Sequence, residues 1–239
     1  MNTYFSTFGS GLGEIIKSAL AKQVSDVDLE LLLDGLVVYK TKKSPSEIKN
    51  IRFFNNAFVL LKLFEGLRDK SIEAMIKQVL DNPELVKKAS KNIPRKTSTF
   101  RIVASKENQL ISVDNNLLKN LEKLFSNITN LRVDRTNPDI EIWFLARSED
   151  YGFFGIRITR KPNYEKVLEK GELKPELANI LCLISDPKPN DVFLDPFAGY
   201  GAIPIERAKS FAYKQIISSE KVKLCLRNYG PNLRALSKK

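Results

Sequence analysis

The chain reads as a mixed α+β and α/β protein, and three observations carry that reading. Short strands and amphipathic helices alternate along the first 160 residues, a proline-containing break follows, and a strand–glycine loop–helix–strand unit stands near the end. At 239 residues, one large or two modest domains are expected, and 43% hydrophobic content is enough for a real core. Histidine is absent, the formal net charge is +11 and the pI is about 9.5.

The first section runs to about residue 65. Thr3 to Phe8 alternates as a strand, and Leu12, Ile15, Ile16, Ala19 and Leu20 fall on one face of a helix. Two strands, Asp28–Leu33 and Leu36–Lys40, flank the hairpin signal Asp34-Gly35. Ser44-Pro-Ser-Glu47 combines an N-cap serine, a proline at the first helical position and a capping-box glutamate, which predicts a short helix. Ala57–Phe64 is an apolar strand, and the whole is a small α+β unit.

The second section holds helices from Ser71 to Leu80 and from Asn82-Pro83 to Lys88, a strand at Thr99–Ala104 and a helix at Asp114–Phe125. Strands follow at Ile140–Leu145 and Phe153–Thr159. Trp143, Phe153 and Phe154 are expected in the core, and Asn137-Pro138-Asp139 as a turn.

Lys161-Pro162 is expected to be a linker. Beyond it come a helix at Pro175–Ile184, a strand at Asp191–Asp195, a helix at Ala202–Lys209, a strand at Gln215–Ser219 and a helix start from Lys221 to about Leu226. Such a unit is the opening of an open α/β cofactor domain, which needs well over a hundred residues, the size of an ordinary domain. The expectation is a domain that begins here without its end.

Composition narrows the chemistry. Without histidine, His-assisted nucleophilic catalysis and His-ligated zinc are excluded; two cysteines, Cys182 and Cys225, make a poor metal site, so no metal is expected. No apolar run approaches a bilayer span and no signal peptide opens the chain, so a cytoplasmic protein with reduced thiols and no membrane partner is expected. The basic excess favours a polyanion, since each cation placed on a phosphate releases counterions. Lys87, Lys88, Lys91, Arg95, Lys96 and Arg101 cluster around the strand at 99–104, and Arg147 and Arg157 stand at strand ends. These eight are the candidates for contact with a phosphate backbone.

In the loop Asp195-Pro-Phe-Ala-Gly-Tyr-Gly201, small residues let a ligand approach the backbone at the carboxyl end of a strand. Glu220 ends the next strand 25 positions after Asp195, where a carboxylate commonly meets ribose hydroxyls. No Gly-Lys-Ser/Thr follows, so this is not a phosphate loop.

Leu173-Lys-Pro-Glu-Leu-Ala178 with Asp191-Val-Phe-Leu-Asp-Pro-Phe-Ala-Gly-Tyr-Gly-Ala-Ile-Pro-Ile-Glu206 resembles the cofactor entry of THUMP-containing RNA methyltransferases. Upstream, Thr99–Ala104, Val133-Asp134, Asn137–Ile142 and Gly152–Arg157 are similar to the THUMP RNA-binding domain, and the first section to the ferredoxin-like domain that precedes it. The resemblance implies a ferredoxin-like domain over 1–66, THUMP over 67–161, and a linker helix with part of a Rossmann-like methyltransferase domain over 162–239.

It implies S-adenosylmethionine as cofactor, with Asp195, Pro196, Phe197, Gly199 and Gly201 at its methionine side, Glu220 at its ribose, and Pro175 and Leu177 on the pocket wall. It also implies structured RNA, tRNA or rRNA, as partner and base N-methylation at guanine N2 as the reaction. Two features depart from the family: Ala202 stands where many members have Thr, and no Asn/Asp-Pro-Pro-aromatic acceptor motif occurs, so no catalytic residue is assigned. The alternative is an RNA-binding module whose methyltransferase part is incomplete, inactive, or completed by a separate chain.

Overall fold

The computed structural model describes residues 1–67, 72–159, 168 and 171–221. Eleven strands and seven helices run in the order β1 (Asn2–Thr7), α1 (Gly13–Gln23), β2 (Asp28–Leu33), β3 (Leu36–Thr41), α2 (Pro45–Ile48), β4 (Asn56–Glu65), α3 (Ile72–Leu80) and α4 (Glu84–Ser90) among the described residues. Then come β5 (Thr99–Lys106), β6 (Gln109–Leu110), α5 (Asn115–Thr129), β7 (Arg132–Val133), β8 (Ile140–Ala146) and β9 (Tyr151–Arg157). The last elements are α6 (Pro175–Ile184), β10 (Val192–Asp195), α7 (Ala202–Ser210) and β11 (Gln215–Ser218). The expected linker at Lys161-Pro162 and the helix start beyond Lys221 lie outside the described residues.

The two expected N-terminal units share a single sheet. Its path is β2-β3-β1-β4-β9-β8-β5-β6, with β7 beside β5, and it is mostly antiparallel. The join is β4 against β9, running from Phe58↔Arg157 to Glu65↔Tyr151. This ladder, with one bulge between Leu60 and Lys62, removes the free edge that each unit would otherwise expose. Elements on either side of the boundary near residue 66 are therefore hydrogen-bonded to one another through the sheet.

β4 shows how the layers are sorted. Val59 packs with α1 residues Ile16, Ala19 and Leu20, whereas Leu61 and Phe64 join a second core with Met75, Ile76, Val79, Val86, Leu121 and Phe125 from α3, α4 and α5. Phe58 and Leu60 point to the opposite side. A bulge between Leu60 and Lys62 lets the strand bend between the two cores. The Lys88 ammonium donates to the Leu61 carbonyl at 2.8 Å, satisfying a backbone acceptor at this irregular point.

The opposite side carries a third core made only of strand residues, among them Phe5, Leu36, Val38, Phe58, Leu145 and Phe153. Twist curls the sheet until its own strands cover these side chains. Phe5 stacks on Phe58 with ring centroids 4.4 Å apart, and Arg147, at the β8–β9 turn, donates to the Asp34 carbonyl of the β2–β3 turn at 2.6 Å. Phe153 and Phe154 are fully buried, on opposite sides of the sheet, as the alternation requires.

β10 and β11 form a separate parallel pair in register Val192↔Gln215 to Asp195↔Ser218, with α7 as the crossover. α6 packs on α7 and also inserts Ile180 and Leu183 into the α1 core. Among the described residues no helix is long and apolar enough to cross a membrane.

Candidate functional site

The β10–α7 turn is built by local hydrogen bonds. The N–H of Phe197 donates to the Asp195 carboxylate at 3.2 Å, that of Gly201 to the Ala198 carbonyl at 2.7 Å, and that of Ala198 to the Ser219 carbonyl at 2.9 Å. Ser219 returns a bond through its hydroxyl to the Pro196 carbonyl at 2.7 Å. Gly199 and Gly201 have φ of 54° and 81°, the left-handed region that non-glycine residues enter only at a cost. A Cβ on Gly199 would have no atom within 4 Å, so the loop faces open space.

Glu220 closes this turn: its Oε2 accepts the Gly199 N–H at 2.7 Å. Asp195 and Glu220 thus stand at the carboxyl ends of adjacent parallel strands, a pair of acceptors for hydroxyl or ammonium groups of a ligand. Phe197 is 87% exposed, an apolar ring standing clear of the protein beside them. Pro175 begins α6, and Leu177, in its first turn, is also exposed. This donor set fits a nucleoside cofactor bearing an amino-acid end. Among the described residues no cluster of carboxylates and thiols could hold a metal. Cys182 is buried, and burial pushes its thiol up to about 11, which keeps it protonated and unreactive; Cys225 lies outside the described residues.

Behind the loop, α7 is anchored by two side chains. Arg207, almost completely buried, donates to the carbonyls of Ala212 and Lys188 and pairs with Asp191 at 3.2 Å, tying helix, preceding turn and following loop together. Glu206 accepts two bonds from Arg52 of the α2–β4 connection, with Nε to Oε2 at 2.6 Å.

The eight candidate cations separate into two kinds. Arg101 and Arg157 flank Glu141 on neighbouring strands, Arg157 at 3.1 Å, and the Trp143 indole N–H donates to the same carboxylate at 3.0 Å. Burial alone would raise the Glu141 carboxyl; the hydrogen bonds from Trp143 and Arg157 and the charges of Arg157 and Arg101 outweigh it and hold it below the usual carboxylate range. Arg147 bridges two turns, and Lys88 caps the β4 bulge. These four heads serve the fold.

Lys87 is exposed but paired with Glu84 at 2.6 Å, while Lys91, Arg95 and Lys96 lie exposed along the segment leading into β5. The sequence reading missed Arg132 and Arg135. They line an open recess of about 550 Å³ with Thr99, Val133 and Asp134, adjoining that segment, because β7 pairs with the start of β5. A two-residue strand carries too little periodicity to be seen beforehand. Arg135 is held by Glu122 through bonds of 3.0 and 2.8 Å. Asn137-Pro138-Asp139 is a turn: Asp139 accepts the N–H groups of Ser98 and Thr99, which lowers its carboxyl.

Residues 162–229 match the family model of the UPF0020 RMKL-like methyltransferase domain. The chain is 27% identical over 115 residues to the tRNA (guanine(6)-N2)-methyltransferase of Thermus thermophilus, covering 47% of this chain and 34% of that protein. It is 28% identical over 108 residues to the mouse tRNA (guanine(6)-N(2))-methyltransferase THUMP3, covering 44% of this chain and 21% of that one. The matched stretches therefore span about a third or less of these curated relatives. In fold the chain is similar to TrmN from Thermus thermophilus, with a TM-score of 0.72 at 18% identity over 99% of this chain and 70% of that one. It is similar also to SMU.472 in complex with SAH, with a TM-score of 0.57 at 16% identity over 98% and 64% of the two chains. Mixed α/β architecture, a matching family segment and relatives of one kind agree: over residues 162–229 the chain matches the RMKL-like methyltransferase domain model, and it is similar to THUMP-type RNA methyltransferases.

Proposed function

We propose that the chain is the RNA-gripping and cofactor-entry portion of an S-adenosylmethionine-dependent RNA methyltransferase acting on a guanine amine of tRNA. The observation that carries this reading is the turn at 195–201. Two strand-end carboxylates and two positive-φ glycines converge there, inside the segment that matches a methyltransferase family.

The cofactor, when bound, supplies an activated methyl group. This chain's part is to seat it: Glu220 is the acceptor for the ribose hydroxyls, Asp195 for the methionine end, and the loop backbone from Pro196 to Gly201 lets it approach without a side chain between. Phe197, Pro175 and Leu177 form the apolar border. Positioning is the main contribution such a site makes to in-line transfer.

The RNA is gripped by the basic sheet unit, the THUMP-like part, through its backbone phosphates rather than its bases. Lys91, Arg95 and Lys96, with Arg132 beside them and Lys87 at the rim, are the cations for this role. Arg101, Arg147, Arg157 and Lys88 support that surface from within. Val192, Leu194 and Ile217 leave one apolar face of the β10–β11 pair exposed, which fits a covering layer from further elements of the same domain.

Calorimetric titration with S-adenosylmethionine, beside tRNA binding across salt concentrations, tests the reading. Expected are cofactor binding and RNA affinity that falls steeply with salt. Reversing Arg95 and Lys96 to Glu lowers the salt slope by roughly one per lost phosphate contact. RNA binding without cofactor binding would leave only an RNA-binding module.

A further inference from the structure

The cofactor-entry segment is tied to the first sheet unit by a buried carboxylate as well as by the chain itself. Arg52 lies between α2 and β4, and Glu206 on α7, 154 positions later, directly behind the turn at 195–201. Glu206 is 2% exposed, and Arg52 meets both of its carboxylate oxygens. Asn179 of α6 donates to the same Oε2 at 3.4 Å and to the Ser210 hydroxyl at 2.9 Å.

Among the described residues, apolar packing and an exposed ion pair also cross this seam. Ile180 and Leu183 pack into the α1 core, and Lys22 reaches Asp186 at 3.7 Å with both side chains largely exposed. Apolar packing is non-directional and an exposed pair contributes little, so neither fixes a rotation of α6–α7 over the sheet unit. A two-pronged guanidinium–carboxylate contact does, because both planes must align. An Arg at this point also cannot be exchanged for Lys, whose ammonium meets one oxygen at a time.

We propose that Arg52 is a positioning residue: by locking Glu206 it sets the distance and angle between the RNA-gripping sheet and the cofactor turn. This rests on the proposed function for its purpose, but the mechanical claim stands on the geometry alone. The base reaches the methyl donor only if the two parts hold one orientation while RNA is bound far from the turn.

The test uses the full chain with Cys225→Ser and spin labels at Lys119→Cys on α5 and Lys214→Cys before β11, both exposed positions; Cys182 is buried. Arg52→Ala is expected to broaden the distance distribution, with affinities for tRNA and S-adenosylmethionine unchanged. Arg52→Lys narrows it only in part. Where methyl transfer is measured with a chain that supports it, Arg52→Ala lowers turnover at saturating substrates by roughly 100-fold, the effect of an ångström-scale misplacement. Glu206→Gln, which keeps the shape but replaces one of the two acceptors by a donor, leaves at most one prong of the contact; it should also broaden the distribution and covers the case in which Arg52→Ala fails to fold. An unchanged distribution in the variants overturns the proposal, as does a selective loss of cofactor affinity, which would make the contact local to the loop. Absence of cofactor binding in the parent chain would count against the methyltransferase reading and leave the distance result intact.

Discussion

The backbone N–H of Gly199 donates to Glu220 across 2.7 Å, joining the cofactor turn to the end of the neighbouring strand. One oxygen of this carboxylate therefore shapes the turn, and under the proposed function the same group accepts a ligand hydroxyl. Both depend on the charge, since an anionic acceptor forms stronger bonds than a neutral one.

Glu220→Gln should accordingly weaken S-adenosylmethionine binding by roughly 10- to 100-fold, the range expected when a hydrogen bond to a charged group worth about 1.5–3 kcal/mol is lost. Thermal stability should change little, because the residue sits at the half-exposed end of a two-stranded pair. Isothermal calorimetry beside a melting curve separates the two effects. An unchanged Kd would remove Glu220 from the cofactor site.

Glu141 supports a prediction about acid stability. Its residue is 2% exposed and its carboxyl is depressed by Trp143, Arg157 and Arg101 despite burial. A carboxyl whose folded pKa lies below its unfolded value contributes stability that is present above the unfolded value and lost as pH falls through the folded one. The protein should therefore lose stability as pH drops from about 4.3, the unperturbed Glu value, downwards. Glu141→Gln should abolish that part of the acid dependence while costing about 3 kcal/mol at neutral pH, because two guanidiniums lose their shared anion. Urea midpoints measured between neutral pH and acid check both statements. Unaltered pH dependence in the variant would show that the triad does not titrate in this range.

How much of this could be read in advance follows from the range of the interactions. The capping box at Ser44 and Glu47 and the turns at Gly35 and Gly199 were legible because each is encoded within four or five neighbours. Apolar runs marked Trp143 and Phe153 as interior and located the nine longer strands to within two residues, but not the two-residue strands β6 and β7. The Arg101–Glu141–Arg157 triad was not legible: its members lie on three strands, and sheet order is set by pairing across the fold. Without that pairing, Arg101 and Arg157 read as free cations. The Arg52–Glu206 contact was hidden for the same reason. The continuous sheet escaped notice because β4 and β9 each suit a unit of their own, and only their mutual register merges the two.

That merged sheet gives the last prediction, at Gly155. A Cβ there would lie 2.6 Å from the Val59 carbonyl oxygen on the paired strand and 2.7 Å from the ring of Phe5. Val59 is backbone and cannot yield without opening the β4–β9 ladder; Phe5 is fully buried and stacked on Phe58, so its ring has no empty volume to enter. Gly155→Ala should thus strain the junction between the two halves of the sheet, with a cost of about 1–3 kcal/mol by comparison with other overpacked cores. A local effect would lower the global melting temperature only. Because the junction is where the halves are hydrogen-bonded, amide exchange should also quicken in β4 and β9 before it does in β2 and β3. Smaller side chains at Phe5 should relieve the variant: Phe5→Leu combined with Gly155→Ala is expected to be less destabilised than the sum of the two single changes. Strict additivity would mean that the Val59 carbonyl, not the ring, sets the limit on how tightly this sheet curls.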